Sequence, residues 1–85
     1  MASYNVLIKP SAVKELELIP KKDRLRMVGK IQTLANNPRP IGCEKLSGRE
    51  QYRLRQGRYR VVYSVSDSEQ RVLFVKIAHQ KEVYR

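Results

Sequence analysis

The chain has 85 residues, enough for one domain and too few for two, so residues 1–85 are expected to form a single domain. Apolar residues make up 41% and charged residues 31%, which is typical of a globular rather than a disordered protein. The net charge of +10, from 18 basic and 8 acidic residues, predicts a surface that attracts polyanions.

Cysteine and histidine each occur once, which excludes an intramolecular disulfide and argues against a Cys/His metal centre. We therefore expect neither a metal nor another cofactor. The first residues do not resemble a signal peptide, and no apolar run approaches the roughly 20 residues that cross a bilayer. These features predict a cytoplasmic protein without membrane contact.

The first third of the chain predicts one strand and two helices. β-Branched residues favour a strand over 4–9, and Pro10 ends it. Ser11 is expected to cap a helix that runs to about Ile19, where Pro20 stops it.

A second helix is expected from Lys21 or Lys22 to Ala35, and with the first it would form an antiparallel hairpin. Its apolar positions recur every three residues and predict one buried stripe, with Met27 beside it. The stripe consists of Leu25, Val28, Ile31 and Leu34.

The second half of the chain predicts strands. Asparagine, glycine and two prolines indicate a loop over 36–43, and a β-hairpin follows over 52–63 with Gly57 in its turn. A second turn over 67–70 leads to a strand from Arg71 to about Ala78. The apolar run of that strand is nearly continuous, which is typical of a central strand.

The short connections of the last three strands predict an antiparallel meander. The expected fold is therefore α+β: an N-terminal strand, a helical hairpin that covers one sheet face, and an open, basic face on the other side.

Arginine alternates with apolar residues in the predicted hairpin. Since neighbouring strand residues point to opposite faces, Arg53, Arg55 and Arg60 are expected to share one face. Guanidinium groups donate paired hydrogen bonds to phosphate, so three of them could stabilise a transition state that gains negative charge. Two other interpretations stay open: a solvated face that aids solubility, and a docking site for an acidic protein segment.

No acidic residue is expected on this face, which argues against paired catalytic carboxylates. His79 has the only side chain whose ordinary pKa lies near neutrality, and it is a candidate for proton transfer as well as for a structural role. Tyr84 could stack on a base, transfer a proton or pack on the core. Four further basic residues are candidates for contacts with the backbone phosphates of a nucleic acid, namely Lys45, Arg49, Arg58 and Lys81.

Several segments together resemble the RelE/ParE superfamily of bacterial and archaeal toxins: Lys45-Leu46-Ser47-Gly48, Tyr52-Arg53-Leu54-Arg55, Gly57-Arg58-Tyr59-Arg60-Val61-Val62-Tyr63, and the stretch from Val75 to Tyr84. The resemblance covers nearly the whole chain and includes the order of strand, helical hairpin and meander.

The resemblance implies a toxin of a type II toxin–antitoxin system. RelE-like members enter the ribosomal A site and cut mRNA without a metal, by attack of the ribose 2′-OH on the adjacent phosphate. The positions that match the family's basic catalytic set are Arg53, Arg55 and Arg60, and Tyr84 matches the C-terminal tyrosine. A cognate antitoxin, mRNA and the ribosome are the implied partners, and a toxin–antitoxin hetero-oligomer is the implied assembly.

The chain also departs from the family pattern. Some RelE members carry lysine where this chain has Arg53 and Arg55, and arginine stays protonated in ordinary surroundings, so its role would be electrostatic. Many relatives have arginine after the tail histidine, where this chain has Gln80. Proton transfer would then fall to His79 or Tyr84. Two alternatives remain: a ParE-like gyrase inhibitor, and a non-catalytic module that binds RNA or the ribosome.

Overall fold

The computed structural model describes residues 3–46 and 50–79. In this part of the chain there are two helices, α1 (Pro10–Glu17) and α2 (Lys21–Asn36). Neither is long and apolar enough to span a membrane. The strands of the same part are β1 (Asn5–Ile8), β2 (Glu44–Lys45), β3 (Gln51–Gln56), β4 (Tyr59–Ser66) and β5 (Arg71–His79).

The described strands form one sheet in the order β1-β5-β4-β3-β2. β1 runs parallel to β5, and the other neighbours are antiparallel, so the sheet is mixed. The α+β class and the meander of β3, β4 and β5 are confirmed. β5 has a neighbour on each side, as its apolar run predicted. The two-residue strand β2 was not predicted, because two residues carry no alternating pattern.

A β-bulge keeps the two faces of β5 in phase with β4. Val62 pairs with Lys76 and Tyr63 pairs with Phe74, so Val75 is an extra residue on β5. Phe74 and Ile77 are three positions apart, so in a regular strand they would point to opposite faces. With the extra residue between them, both are buried on the side that the helices cover.

The core lies between the helices and this side of the sheet. α2 contributes Met27, Ile31 and Leu34, at spacings of four and three residues. Ile31 and Leu34 of the predicted stripe are buried, but the prediction for Leu25 was wrong, since Leu25 is 62% exposed. Met27 lies two residues further along, about 200° around the helix, and takes the buried position instead.

The predicted start and end of α1 were also wrong. The helix begins at Pro10 with Lys9 as its N-cap, and no side chain caps it. Proline suits this first position because its ring presets the helical φ and its missing N–H would have no helical acceptor. The helix ends at Glu17, and the following turn carries Ile19 into the core.

Candidate nucleic-acid-binding face

The hairpin of β3 and β4 positions the three candidate arginines. Its two-residue turn begins with Gly57 at a φ of +61°, which suits the first position of a type II′ turn. This turn sets a register in which Arg55 lies opposite Arg60. Arg53 lies two residues further along β3, on the same side of the sheet.

This side is the one that the helices do not cover. The residues between the arginines, Leu54 and Val61, are buried in the core on the opposite side. Arg55 is exposed, whereas Arg60 is only 5% exposed. The structure therefore brings the three predicted arginines together, and Arg60 is the one that the fold encloses.

An acidic residue lies on the same face, contrary to our prediction. Glu44 of β2 is the register partner of Arg53, and both Nε and Nη2 of Arg53 donate to its Oε1, at 3.3 and 3.0 Å. The prediction was wrong because β2 was not foreseen, and β2 is what brings this carboxylate beside the hairpin. We call Glu44, Arg53, Arg55 and Arg60 the arginine face.

The other basic candidates are placed differently. Arg58 is exposed in the hairpin turn beside the arginine face. Lys45 pairs with Tyr52, whose ring is in the core, and its Nζ lies 3.3 Å from Glu50, so it belongs to the helix side. Arg49, Lys81 and Tyr84 lie outside the described residues.

His79 lies on the side of the sheet opposite the arginines. It pairs with Tyr59, and the two rings make an edge-to-face contact with centroids 5.6 Å apart. Both residues line a cavity of about 260 Å³ next to Leu18 and Ile19 at the end of α1. The described structure thus brings the arginines together without His79.

Glu15, a further residue of this cavity, holds the end of β5. Its carboxylate accepts the backbone N–H of Ile77 at 2.9 Å and the Nζ of Lys76 at 3.0 Å. The pairing of β1 with β5 stops at Phe74, so the side chain supplies an acceptor where the neighbouring strand has ended. Sequence reasoning missed this role, because the bond spans 62 residues and no local pattern marks it.

A second arginine centre, also missed, lies on the helix side near the β4–β5 turn. Arg39 donates two hydrogen bonds to Asp67, at 3.1 and 2.9 Å, and one to the Tyr52 hydroxyl at 2.8 Å. The Tyr4 hydroxyl donates to Asp67 at 2.7 Å, and Glu50 lies 3.9 Å from Arg39. We call these five residues the Arg39 cluster.

The ionisation of the Arg39 cluster follows from these contacts. Hydrogen bonds from Arg39 and then Tyr4 lower the pKa of Asp67, because they stabilise its charged form. Hydrogen bonds to Asp67 and Tyr52 raise the pKa of Arg39 further above its ordinary value. Arg39 and Asp67 therefore stay ionised across the physiological pH range and neutralise each other.

The three arginines of the arginine face can contribute only electrostatically. Guanidinium groups can hold a phosphate and stabilise negative charge that develops on it, but they cannot accept a proton. The chain's one histidine lies on the other side of the sheet. In residues 3–46 and 50–79, no three His, Cys, Asp or Glu side chains are grouped so that they could hold a metal ion.

Comparisons with known proteins agree with the fold. The family model of the ParE toxin of the type II toxin–antitoxin system parDE matches residues 6–84. The Toxin RelE of Mycobacterium tuberculosis is 33% identical over 84 residues, 96% of this chain and 87% of that protein.

Solved structures extend the comparison. In the archaeal RelE–RelB complex from Pyrococcus horikoshii OT3, one chain is 28% identical with a TM-score of 0.81, over 92% of this chain and 96% of that one. A chain of the RelBE2 toxin–antitoxin complex from Mycobacterium tuberculosis has a TM-score of 0.82 at 21% identity, over 92% of this chain and 99% of that one, which shows the shared fold. The chain belongs to the RelE/ParE superfamily of type II toxin–antitoxin toxins.

Proposed function

We propose that this protein is a ribosome-dependent mRNA endonuclease of the RelE type that acts in the cytoplasm. The observation that carries the proposal is the sheet face away from the helices, on which Arg55 and Arg60 lie opposite each other with Arg53 beside them. Three guanidinium groups on one side of the sheet, with Arg55 exposed and Arg60 enclosed by the fold, suit a polyanionic substrate that must gain charge as it reacts.

The proposed reaction needs no metal. The ribose 2′-oxygen attacks the adjacent phosphorus, the bond to the 5′-oxygen of the next nucleotide breaks, and the 2′-proton passes to a base while the leaving oxygen gains a proton. The products are a 2′,3′-cyclic phosphate and a 5′-hydroxyl. The arginines stabilise the added negative charge on the phosphoryl oxygens. Of the two candidates for proton transfer that the sequence offers, we assign the role to Tyr84, because His79 lies on the side of the sheet opposite the arginines.

We further propose that an antitoxin restrains the enzyme. The related RelE chain from Pyrococcus horikoshii was solved as a complex with RelB. A partner of this chain would be acidic, because it must approach a molecule with a net charge of +10. Such a segment would compete with RNA for the arginine face.

The direct test is cleavage of mRNA on programmed ribosomes by the purified chain, in the presence of EDTA. We expect discrete cuts with cyclic phosphate ends, and strongly reduced cutting by Arg60→Ala and Tyr84→Ala. Arg71→Ala is the matched control, an arginine at the far end of the same sheet whose loss should leave cutting unchanged. Full activity in both test variants would contradict the nuclease proposal.

A gyrase inhibitor is the second candidate, because the family model that matches this chain is that of the ParE toxin. Inhibition of DNA supercoiling by the wild-type chain, without any RNA cutting, would favour this candidate. Binding to ribosomes or RNA with neither activity would instead indicate a non-catalytic module.

A further inference from the structure

The arginine face consists of two cross-strand rows. One row contains Arg55 and Arg60, which face each other across β3 and β4. The other contains Glu44 and Arg53, followed by Val62 on β4. Two residues along a strand separate the rows, a distance of about 7 Å. A nucleic-acid strand that crosses both rows therefore meets two separate positions for phosphate.

The second row already holds an anion. A single oxygen of Glu44 accepts two hydrogen bonds from Arg53, where a phosphate oxygen would otherwise lie. The Glu44 side chain is 63% exposed and the Arg53 side chain 27% exposed, so solvent and ligands reach the pair. An exposed ion pair of this kind is weak, and a phosphodiester can displace it.

We propose that Arg53 forms a phosphate subsite that Glu44 occupies in the free protein, and that bound RNA displaces the Glu44 carboxylate. The occupied subsite has two consequences: it holds the Arg53 guanidinium in place, and it weakens the binding of unselected nucleic acid. This inference rests on the proposed function, because it takes the arginine face as the surface that binds RNA.

Binding of a non-cleavable strand tests the subsite without any need for cleavage. The probe is a fluorescent 2′-O-methyl oligouridine, titrated with the full chain between 50 and about 300 mM KCl, over which exposed ion pairs weaken. We expect Glu44→Gln to bind it about two- to fivefold more tightly at the lowest salt concentration, which is the strength of an exposed ion pair. The difference should shrink as salt rises.

Arg53→Gln provides the second measurement. It removes one phosphate contact, so the slope of log K against log salt should become shallower by about 0.7. In the Arg53→Gln background, Glu44→Gln should lose most of its effect, because the two residues act through one ion pair. Circular dichroism verifies folding, and Glu44→Ala repeats the test with the side chain removed.

Glu69→Gln is the matched control for net charge. Glu69 is 57% exposed and pairs with Arg71 at 3.3 Å. Its replacement by Gln therefore also raises the net charge of the protein by one and leaves one arginine without its carboxylate partner. If Glu44→Gln and Glu69→Gln tighten binding equally, or if Arg53→Gln leaves the salt slope unchanged, the subsite is overturned. If Arg55→Gln also leaves binding unchanged, the arginine face is not the nucleic-acid surface and the proposed function fails with it.

Discussion

The molecule uses arginine in two contrasting ways. Arg39 has Asp67 and Glu50 within 4 Å and the Tyr52 ring beneath its guanidinium, 5.2 Å from the ring centroid. The arginine face carries three guanidinium groups and, in the described part of the chain, a single carboxylate, Glu44. A neutralised guanidinium joins parts of the chain, whereas an excess of positive charge on the sheet face away from the helices suits an anionic ligand.

The two regions also differ in what they join. Arg39 and Asp67 are 28 residues apart, so their contact fixes the loop after α2 to the β4–β5 turn. Arg55 and Arg60 lie on one hairpin that its backbone hydrogen bonds already hold together. Replacements in the Arg39 cluster should therefore affect stability, and replacements on the arginine face should affect activity.

Arg55→Gln is expected to have the largest effect, which is on activity and not on stability. If Arg55 stabilises charge in the transition state, mRNA cleavage on ribosomes should fall about 100- to 1000-fold, as for the loss of one preorganised donor. Its exposed side chain lies outside the core, so the urea unfolding midpoint should stay at the wild-type value. Near-normal cleavage would remove Arg55 from the chemistry.

Tyr63→Phe addresses the other region. The buried Tyr63 hydroxyl donates to the backbone oxygen of Pro38 at 2.7 Å, immediately before Arg39. Without the hydroxyl this buried oxygen loses its donor, so the free energy of unfolding should fall by about 1–3 kcal/mol. Urea denaturation measures the change. An unchanged stability would show that the loop is held without this bond.

Arg39→Ala should lower the free energy of unfolding by about 1–2 kcal/mol, through loss of exposed ion pairs and of the contact with the Tyr52 ring. Cleavage by the folded fraction should be retained, since Arg39 lies on the helix side of the sheet. Arg24→Ala is a suitable control, an arginine of α2 whose side chain makes a 3.4 Å bond to the Glu17 carbonyl. Loss of cleavage without loss of stability in Arg39→Ala would break the contrast between the two regions.

How far the sequence predicted this molecule depends on how local each feature is. The common face of Arg53, Arg55 and Arg60 followed from alternation within one hairpin, which a two-residue turn fixes in register. The α+β fold likewise followed from patterns within single elements. The buried residue near the start of α2 did not, because Leu25 and Met27 are both apolar and only packing on the sheet selects between them.

The missed parts of the candidate site all depend on contacts between distant segments. Glu44 reaches Arg53 through a strand of two residues, Glu15 reaches Ile77 across 62 residues, and Arg39 reaches Asp67 across 28. Each of these carboxylates could have accepted from several other donors in so basic a chain. The closed fold selects among them, so no spacing in the sequence marks the pairs.

The smallest predicted effect concerns the pH dependence of stability. The pKa of Asp67 is lower in the folded protein than its ordinary value near 3.9, because Arg39 and Tyr4 donate to the carboxylate. Stability from this group is therefore fully present above that ordinary value and is lost as pH falls through the folded-state pKa. As the pH falls below about 4, wild type should lose more unfolding free energy than Asp67→Asn, which has no carboxylate to protonate. Arg39→Ala should also flatten the profile, since it removes the main cause of the shift. If Arg39→Ala kept the wild-type dependence of unfolding free energy on pH in urea titrations, Arg39 would not be what keeps Asp67 ionised. The Arg39 cluster would then not be held by neutralised charges, and its contrast with the arginine face would fail.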